Sequence, residues 1–190
     1  MAQIRHTKTE ARIRDALTTL LPDRGIEGIS VSDIARTAGI NRATFYAHYV
    51  DKYDLMDKQV DAVVTELTRI VMTTSEENGE VIPRQGVLHA LRYVRDNYAF
   101  LSALTGRGTN MQMRERVKEL IGNLLEASAR KRGLALSFGG IPYDYGREML
   151  LSGTTSALWL WVARGCTEPP EEITDIIWRS KALSPEELLA

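Results

Sequence analysis

The chain has 190 residues, of which 44% are hydrophobic and 26% are charged, as in a globular protein with room for one domain or for a small domain joined to a larger one. Its 24 Lys and Arg residues nearly balance its 25 Asp and Glu residues, so the net charge of −1 argues against non-specific coating of nucleic acid, although a local basic patch would suffice for specific binding. No apolar run is long enough for a transmembrane helix, and the single cysteine, Cys166, excludes an internal disulfide and fits a reducing cytoplasm.

The N-terminal segment is polar and locally basic. Residues Met1 to Thr9 include Arg5, His6 and Lys8, and we expect this segment to form an arm. Such an arm is either a frayed terminus or an extra contact to phosphates or the minor groove.

A first helix is predicted from Thr9, which can cap it, to about Leu21. Pro22 and Gly25 mark its end. Apolar residues at helical spacing give it one face for packing: Ile13, Ala16, Leu17 and Leu20.

The stretch that begins at Ser30 predicts two short helices joined by a tight turn. Ser30 and Asp33 are spaced for a capping box at the start of the first helix, which runs from Val31 to about Ala38. Gly39 then ends this helix, because glycine reaches the left-handed conformation needed there at little cost.

The second short helix has an unusual outer face. Asn41 can cap this helix, which is predicted to continue to about Tyr49 with Phe45 and Tyr49 facing inward. The side chains left to face outward are Arg42, Ala43, Thr44, Tyr46, Ala47 and His48. They include no acid, whereas a solvated helix usually carries Glu and Lys. Such side chains can donate to phosphates or base edges, so the pattern favours a DNA-binding helix-turn-helix, although a plain helical hairpin can show similar spacing.

The sequence GINRATFYAHYVDKYDL closely resembles the helix-turn-helix signature of the TetR family of bacterial transcription regulators. The resemblance extends from about Ile13 to Leu55. The matching residues are Ile34, Ala35, Ala38, Gly39, Ile40, Thr44, Phe45, Tyr46, His48, Tyr49, Lys52 and Leu55. It implies an all-α fold of about nine helices. A three-helix DNA-binding domain, residues 1–55, would precede a helical regulatory and dimerisation domain, residues 56–190.

The resemblance also implies which residues contact bases. Ser32 and Arg42 lie where the family commonly places base contacts, and the Arg42 guanidinium can bind guanine through two hydrogen bonds. Ala43 and Ala47 would lie close to the floor of the groove.

Four further residues resemble the phosphate-contacting set of the family: Thr44, Tyr46, His48 and Lys52. Two of these have other interpretations. Tyr46 could instead cover a domain interface, and His48 could be an ordinary surface histidine.

A long helix is predicted from Asp51, its cap, to about Thr74, with Asp54 near its positive N-terminus. The resemblance implies that this helix links the two domains, and a passive connecting helix is the alternative. The acidic segment from Ser75 to Pro83 and the segment from Gly106 to Asn110 are predicted loops.

The last two predicted helices are rich in apolar residues. One runs from about Tyr143 to Arg164 and is apolar nearly all round, and the other begins near Glu171. In the TetR family the last two helices pair with their copies in a second subunit. We therefore expect a homodimer through residues 143–164 and 171–180, with burial inside one chain as the alternative.

Aromatic and sulfur-containing residues in the C-terminal part could line a pocket for an unknown small-molecule effector, since ligand sites are mostly apolar. The candidate ligand-binding residues are Tyr93, Phe100, Met113 and Trp159. Aromatic residues at helical spacing also form plain core, so the two interpretations stay open.

The residues show no pattern that indicates catalysis. The three histidines are widely separated, and no His, Cys and acid cluster has metal-binding spacing, so we expect no enzyme, metal or cofactor. We predict a cytoplasmic regulator that binds a palindromic DNA operator, most simply a repressor released by a small molecule. The alternatives are a TetR-like co-activator whose C-terminal domain binds a protein partner, and a helical module that has lost DNA binding.

Overall fold

The computed structural model describes residues 2–74, 82–105 and 110–180, with the backbone alone at 2–7 and 110–112. These parts form nine α-helices and no β-strand, which confirms the all-α prediction. The helices are α1 (Ala2–Arg24), α2 (Val31–Thr37), α3 (Arg42–Tyr46), α4 (Lys52–Thr73), α5 (Arg84–Asp96), α6 (Tyr98–Leu104), α7 (Asn110–Lys131), α8 (Tyr143–Ala163) and α9 (Pro170–Ser180).

Helix α1 is longer than the sequence pattern predicts. Its backbone is helical from Ala2, so the predicted arm and the predicted cap at Thr9 are both wrong. The polar N-terminal residues include no glycine or proline that would interrupt a helix. Pro22 lies inside the last turn, and the helix ends before Gly25, whose φ of 63° is the left-handed conformation.

The short helices begin where the sequence predicts, but α3 ends early. Helix α2 follows Ser30, and α3 follows Asn41, as expected. Helix α3 ends at Tyr46 instead of Tyr49, because the N–H groups of His48 and Tyr49 both bond to the carbonyl of Phe45 in a closing turn.

The chain separates into two compact units, Met1–Thr65 with Asn97–Arg114, and Glu66–Asp96 with Glu115–Ala190. In the first unit, α1 packs against both α2 and α6, and α2 packs against α3. Its largest fully buried side chains are Ile13, Leu17, Ile34, Phe45, Leu55 and Leu104. The unit with the helix-turn-helix thus also contains α6, which the sequence pattern did not associate with it.

In the second unit, α9 packs against α5 and α8. Leu151 and Trp161 of α8 and Ile177 of α9 lie in its core. The loops predicted at 75–83 and 106–110 and the C-terminal tail fall mostly outside the described residues. Among the helices that the structure describes, none has both the length and the apolar character needed to cross a membrane.

Candidate nucleic-acid interface

A capping box fixes the start of α2. The Ser30 hydroxyl oxygen accepts a hydrogen bond from the Asp33 N–H at 3.1 Å, and the Asp33 carboxylate accepts one from the Ser30 N–H at 3.0 Å. Arg24 and Arg36 also donate to this carboxylate, at 3.1 and 2.6 Å. The hydrogen bond from the Ser30 hydroxyl and the guanidinium of Arg24 hold the pKa of Asp33 well below its usual range. Ser32 is exposed and lies in the first turn of α2, which the capping box holds in place.

The turn between α2 and α3 uses a glycine and an asparagine. Gly39 has a φ of 60°, and the N–H of Ile40 donates to the carbonyl of Ala35 at 2.9 Å, which closes the end of α2. The side-chain oxygen of Asn41 accepts from the N–H of Thr44 at 2.7 Å and from its hydroxyl at 2.8 Å. Asn41 is thus the cap of α3, as predicted, and the Thr44 hydroxyl proton is used within the protein.

The outer face of α3 is exposed and carries no carboxylate. The exposed residues of α3 and of its C-cap are Arg42, Ala43, Tyr46 and Ala47. The Arg42 guanidinium lies 5.9 Å from the centroid of the Tyr46 ring, and Tyr46 is 49% exposed. Phe45 and Tyr49 are buried on the opposite face, as predicted. No Asp or Glu occurs in the sequence between Asp33 and Asp51, so this face can approach a polyanion.

His48 does not face outward, contrary to the prediction. Its side chain is only 9% exposed, its Nδ1 lies 4.0 Å from Glu10 Oε1, and its ring stacks against that of Tyr49. The cause is the early end of α3, which leaves His48 in the closing turn rather than on the helix surface.

Lys52 holds a loop of the protein itself. Its Nζ donates to the carbonyl oxygens of Glu27 and Ile29, both at 3.1 Å, so two of its three donors secure the connection between α1 and α2. The residue is half-buried at the start of α4, where Asp51 caps the helix by accepting from two backbone N–H groups at 2.8 Å.

Two arginines near this surface were missed by the sequence analysis. Arg12 donates to the carbonyl oxygen of Gly39 at 2.6 Å, and Arg36 at the end of α2 has a side chain that is 75% exposed. Arg12 lies 27 residues from Gly39, and no local pattern connects the two. Arg36 could have been identified as a candidate from the sequence, because it lies in the stretch between Asp33 and Asp51 that contains no acidic residue.

The candidate ligand-binding residues belong to different units. Phe100 and Met113 are buried in the first unit, at 6% and 3% exposure. Tyr93 and Trp159 are half-buried in the second unit.

A capped helix-turn-helix with an exposed, acid-free second helix defines a DNA-binding protein of the helix-turn-helix class. The family model described as "Bacterial regulatory proteins, tetR family" matches residues 13–58, and one described as "Transcriptional regulator C-terminal region" matches residues 83–180. The chain therefore belongs to the tetR family of bacterial transcription regulators. Membership in a family of DNA-binding regulators confirms that the protein is not an enzyme.

Relatives and solved structures agree with this assignment. The chain is 24% identical over 176 residues to the uncharacterized HTH-type transcriptional regulator YxbF of Bacillus subtilis, covering 89% of this chain but 43% of YxbF. It is 24% identical over 178 residues to the uncharacterized HTH-type regulator Rv2250c of Mycobacterium tuberculosis, covering 94% and 89% of the two chains. A TetR transcriptional regulator structure from Streptococcus agalactiae shares the fold, with a TM-score of 0.66 and 20% identity over 93% of this chain and 97% of that one.

Proposed function

We propose that the protein is a dimeric, cytoplasmic repressor that binds a palindromic operator through α3 and leaves it when a small molecule binds the second unit. The observation that carries the proposal is the exposed, acid-free outer face of α3 on a capped helix-turn-helix. In a dimer the two copies of α3 would enter successive major grooves about 34 Å apart and block transcription from a nearby promoter.

Base readout is assigned mainly to Arg42. It is exposed at the N-terminal end of α3, the end that reaches base edges in this class of protein. Ser32 is exposed at the start of α2 and is the second candidate, while the exposed Ala43 and Ala47 would allow close approach to the groove floor.

Phosphate contacts are assigned first to Tyr46, whose ring is half-exposed beside Arg42. Thr44, His48 and Lys52 are weaker candidates, because their polar groups already bond to or lie against other parts of the chain. Of these, Lys52 has a donor left after its two carbonyl bonds.

A dimer is supported by an exposed stripe along α8. Its members lie at helical spacing on one face: Tyr145, Met149, Gly153, Ser156 and Leu160. Tyr145 is 70% exposed and Met149 is 66% exposed, and Ile176 of α9 is 44% exposed. Apolar side chains with small residues between them would let a second copy of α8 pack closely.

Release by an effector requires that the small molecule bind one conformation of the protein more tightly than the other. Tyr93 and Trp159 are the candidates in the second unit, because both are aromatic and half-buried, and ligand sites are mostly apolar. Phe100 and Met113 would contribute only if an effector also reached the buried part of the first unit.

The test is DNA binding by the purified protein to a duplex selected from a random library, against a shuffled duplex of the same composition. Arg42→Ala should lose about 1–3 kcal/mol of discrimination at one base pair. Arg130→Ala, which removes the same charge from an exposed site on α7 in the second unit, should keep that discrimination. Wild-type protein that binds both duplexes equally would refute the proposal, and so would activation rather than repression when the selected duplex is placed at a promoter.

A further inference from the structure

Arg12 of α1 reaches the turn between α2 and α3. Its Nη2 donates a 2.6 Å hydrogen bond to the carbonyl oxygen of Gly39, 27 residues later in the chain. The next residue, Ile13, is fully buried, so core packing fixes the backbone from which the Arg12 side chain extends. The bond therefore ties the turn to a firmly held part of α1.

The Gly39 carbonyl lies where the chain leaves α2. The N–H groups of Gly39 and Ile40 bond back to the carbonyls of Arg36 and Ala35, at 3.1 and 2.9 Å, and so close the helix. Arg12 supplies a hydrogen-bond donor for the carbonyl of Gly39 itself. A guanidinium is favoured here because the C-terminal end of a helix carries partial negative charge.

Gly39 suits this contact for two reasons. Its φ of 60° is a conformation that favours glycine, and a Cβ atom at this position would collide with the Arg12 guanidinium. Glycine at this position therefore permits both the backbone turn and the close approach of the Arg12 guanidinium.

The direction of α3 depends on this turn. The helix has only 5 residues, so it forms few backbone hydrogen bonds of its own. Its cap, Asn41, follows Gly39 by two positions, and a rotation at Gly39 would move Asn41 and Arg42 together.

We propose that Arg12 is a positioning residue for sequence-specific DNA recognition. It holds the Gly39 carbonyl and thereby sets the orientation of α3 and the place of Arg42 in the groove. The inference rests on α3 being the reading helix. Arg12 acts on the backbone of the protein rather than on a phosphate, so its loss should harm base readout, which depends on geometry, more than charge-driven non-specific binding.

The experiment measures the affinity of the full-length protein for a duplex selected by the wild type and for its shuffled counterpart, at several salt concentrations. Arg12→Ala should lower the ratio of the two affinities about tenfold, with the salt dependence unchanged. Arg12→Lys should keep most of the ratio, because an ammonium can also donate to a carbonyl, as Lys52 does. Lys8→Ala removes the same charge from an exposed site on α1 and should leave the ratio unchanged.

An unchanged ratio in Arg12→Ala would overturn the inference. So would an equal loss for both duplexes with a salt slope lower by about one, which indicates a phosphate contact. If Arg12→Ala fails to fold, Arg12→Gln keeps a polar side chain but loses charge and reach, and it should show the same lowered ratio. If the wild-type protein shows no sequence preference, the proposed function is refuted as well. If the wild type and Arg12→Ala discriminate equally well between the two duplexes, only this inference is refuted.

Discussion

The guanidinium carbon of Arg14 lies 4.0 Å from the centroid of the Phe100 ring. The same guanidinium donates a 2.8 Å hydrogen bond to the side-chain oxygen of Asn97. Arg14 belongs to α1, and its two partners lie at the start of α6, 83 and more residues later. Since Phe100 is 6% exposed, the cation faces a desolvated ring, where such a contact is strong. The contact gives α6 a structural role in the unit that contains the helix-turn-helix.

We expect Arg14→Ala to destabilise the protein by about 1–3 kcal/mol, through loss of the ring contact and of the bond to Asn97. A double-mutant cycle with Phe100→Leu should give a coupling energy of about 1 kcal/mol between the two side chains. Both values come from urea unfolding. Asp15→Ala, at the next and exposed position of α1, should change stability by less than about 0.5 kcal/mol. Strictly additive effects of the two changes would show that the ring and the guanidinium do not interact.

Local contacts in the helix-turn-helix could be predicted from the sequence, because each depends on residues a few positions apart. The capping box of Ser30 and Asp33, the left-handed Gly39 and the cap at Asn41 are all of this kind. Spacing alone also predicted that Phe45 is buried. These features locate α3 and its outer face.

Contacts between distant residues could not be predicted in this way. The bond from Arg12 to Gly39 and the contact from Arg14 to Phe100 depend on how α1 packs, which no short pattern encodes. Helical periodicity also continued through His48, whereas hydrogen bonding to the Phe45 carbonyl ended α3 earlier. The family resemblance implied a phosphate contact for Lys52, but no short pattern shows that two carbonyl oxygens of the α1–α2 connection lie within reach of its ammonium group.

Asp33 should make stability depend on pH. The Ser30 hydroxyl and then Arg24 lower its pKa below the ordinary value of 3.8. Because the folded protein has the lower pKa, the carboxylate stabilises the fold above the unfolded value, and this stabilisation is lost as pH falls through about 3.8 towards the folded value. The midpoint temperature of the wild type should therefore fall more steeply than that of Asp33→Asn from about pH 5 to pH 2.

The measurement is thermal unfolding of both proteins at closely spaced pH values. Ser30→Ala serves as a second variant, because it removes the largest cause of the lowered pKa while keeping the carboxylate. It should cost about 1 kcal/mol at neutral pH through loss of the helix cap, and its acid sensitivity should lie between those of the other two proteins. Parallel pH profiles for wild type and Asp33→Asn would contradict the assignment.

Lys52→Ala should destabilise the first unit whether or not DNA is present. The change leaves the carbonyls of Glu27 and Ile29 without this donor, and we expect a loss of about 1–2 kcal/mol, with water replacing part of the bonding. Urea unfolding measures the loss, and Lys8→Ala, an exposed lysine on α1, should be close to neutral. If Lys52→Ala proves as stable as the wild type, the ammonium does not secure the connection between α1 and α2.

Met149→Asp should weaken the proposed dimer. Met149 is 66% exposed and lies in the α8 stripe with Gly153 and Leu160, so a second copy of α8 that packs there would have to bury the new carboxylate. An unpaired charge at such an interface costs several kcal/mol, and the dissociation constant should rise at least about 100-fold. Sedimentation equilibrium at micromolar concentration measures this change. Asn123→Asp places the same charge at an exposed site on α7 and should leave the dimer intact. A Met149→Asp protein that remains fully dimeric would move the interface away from α8, and a wild type that sediments as a monomer would remove the dimer from the proposed mechanism.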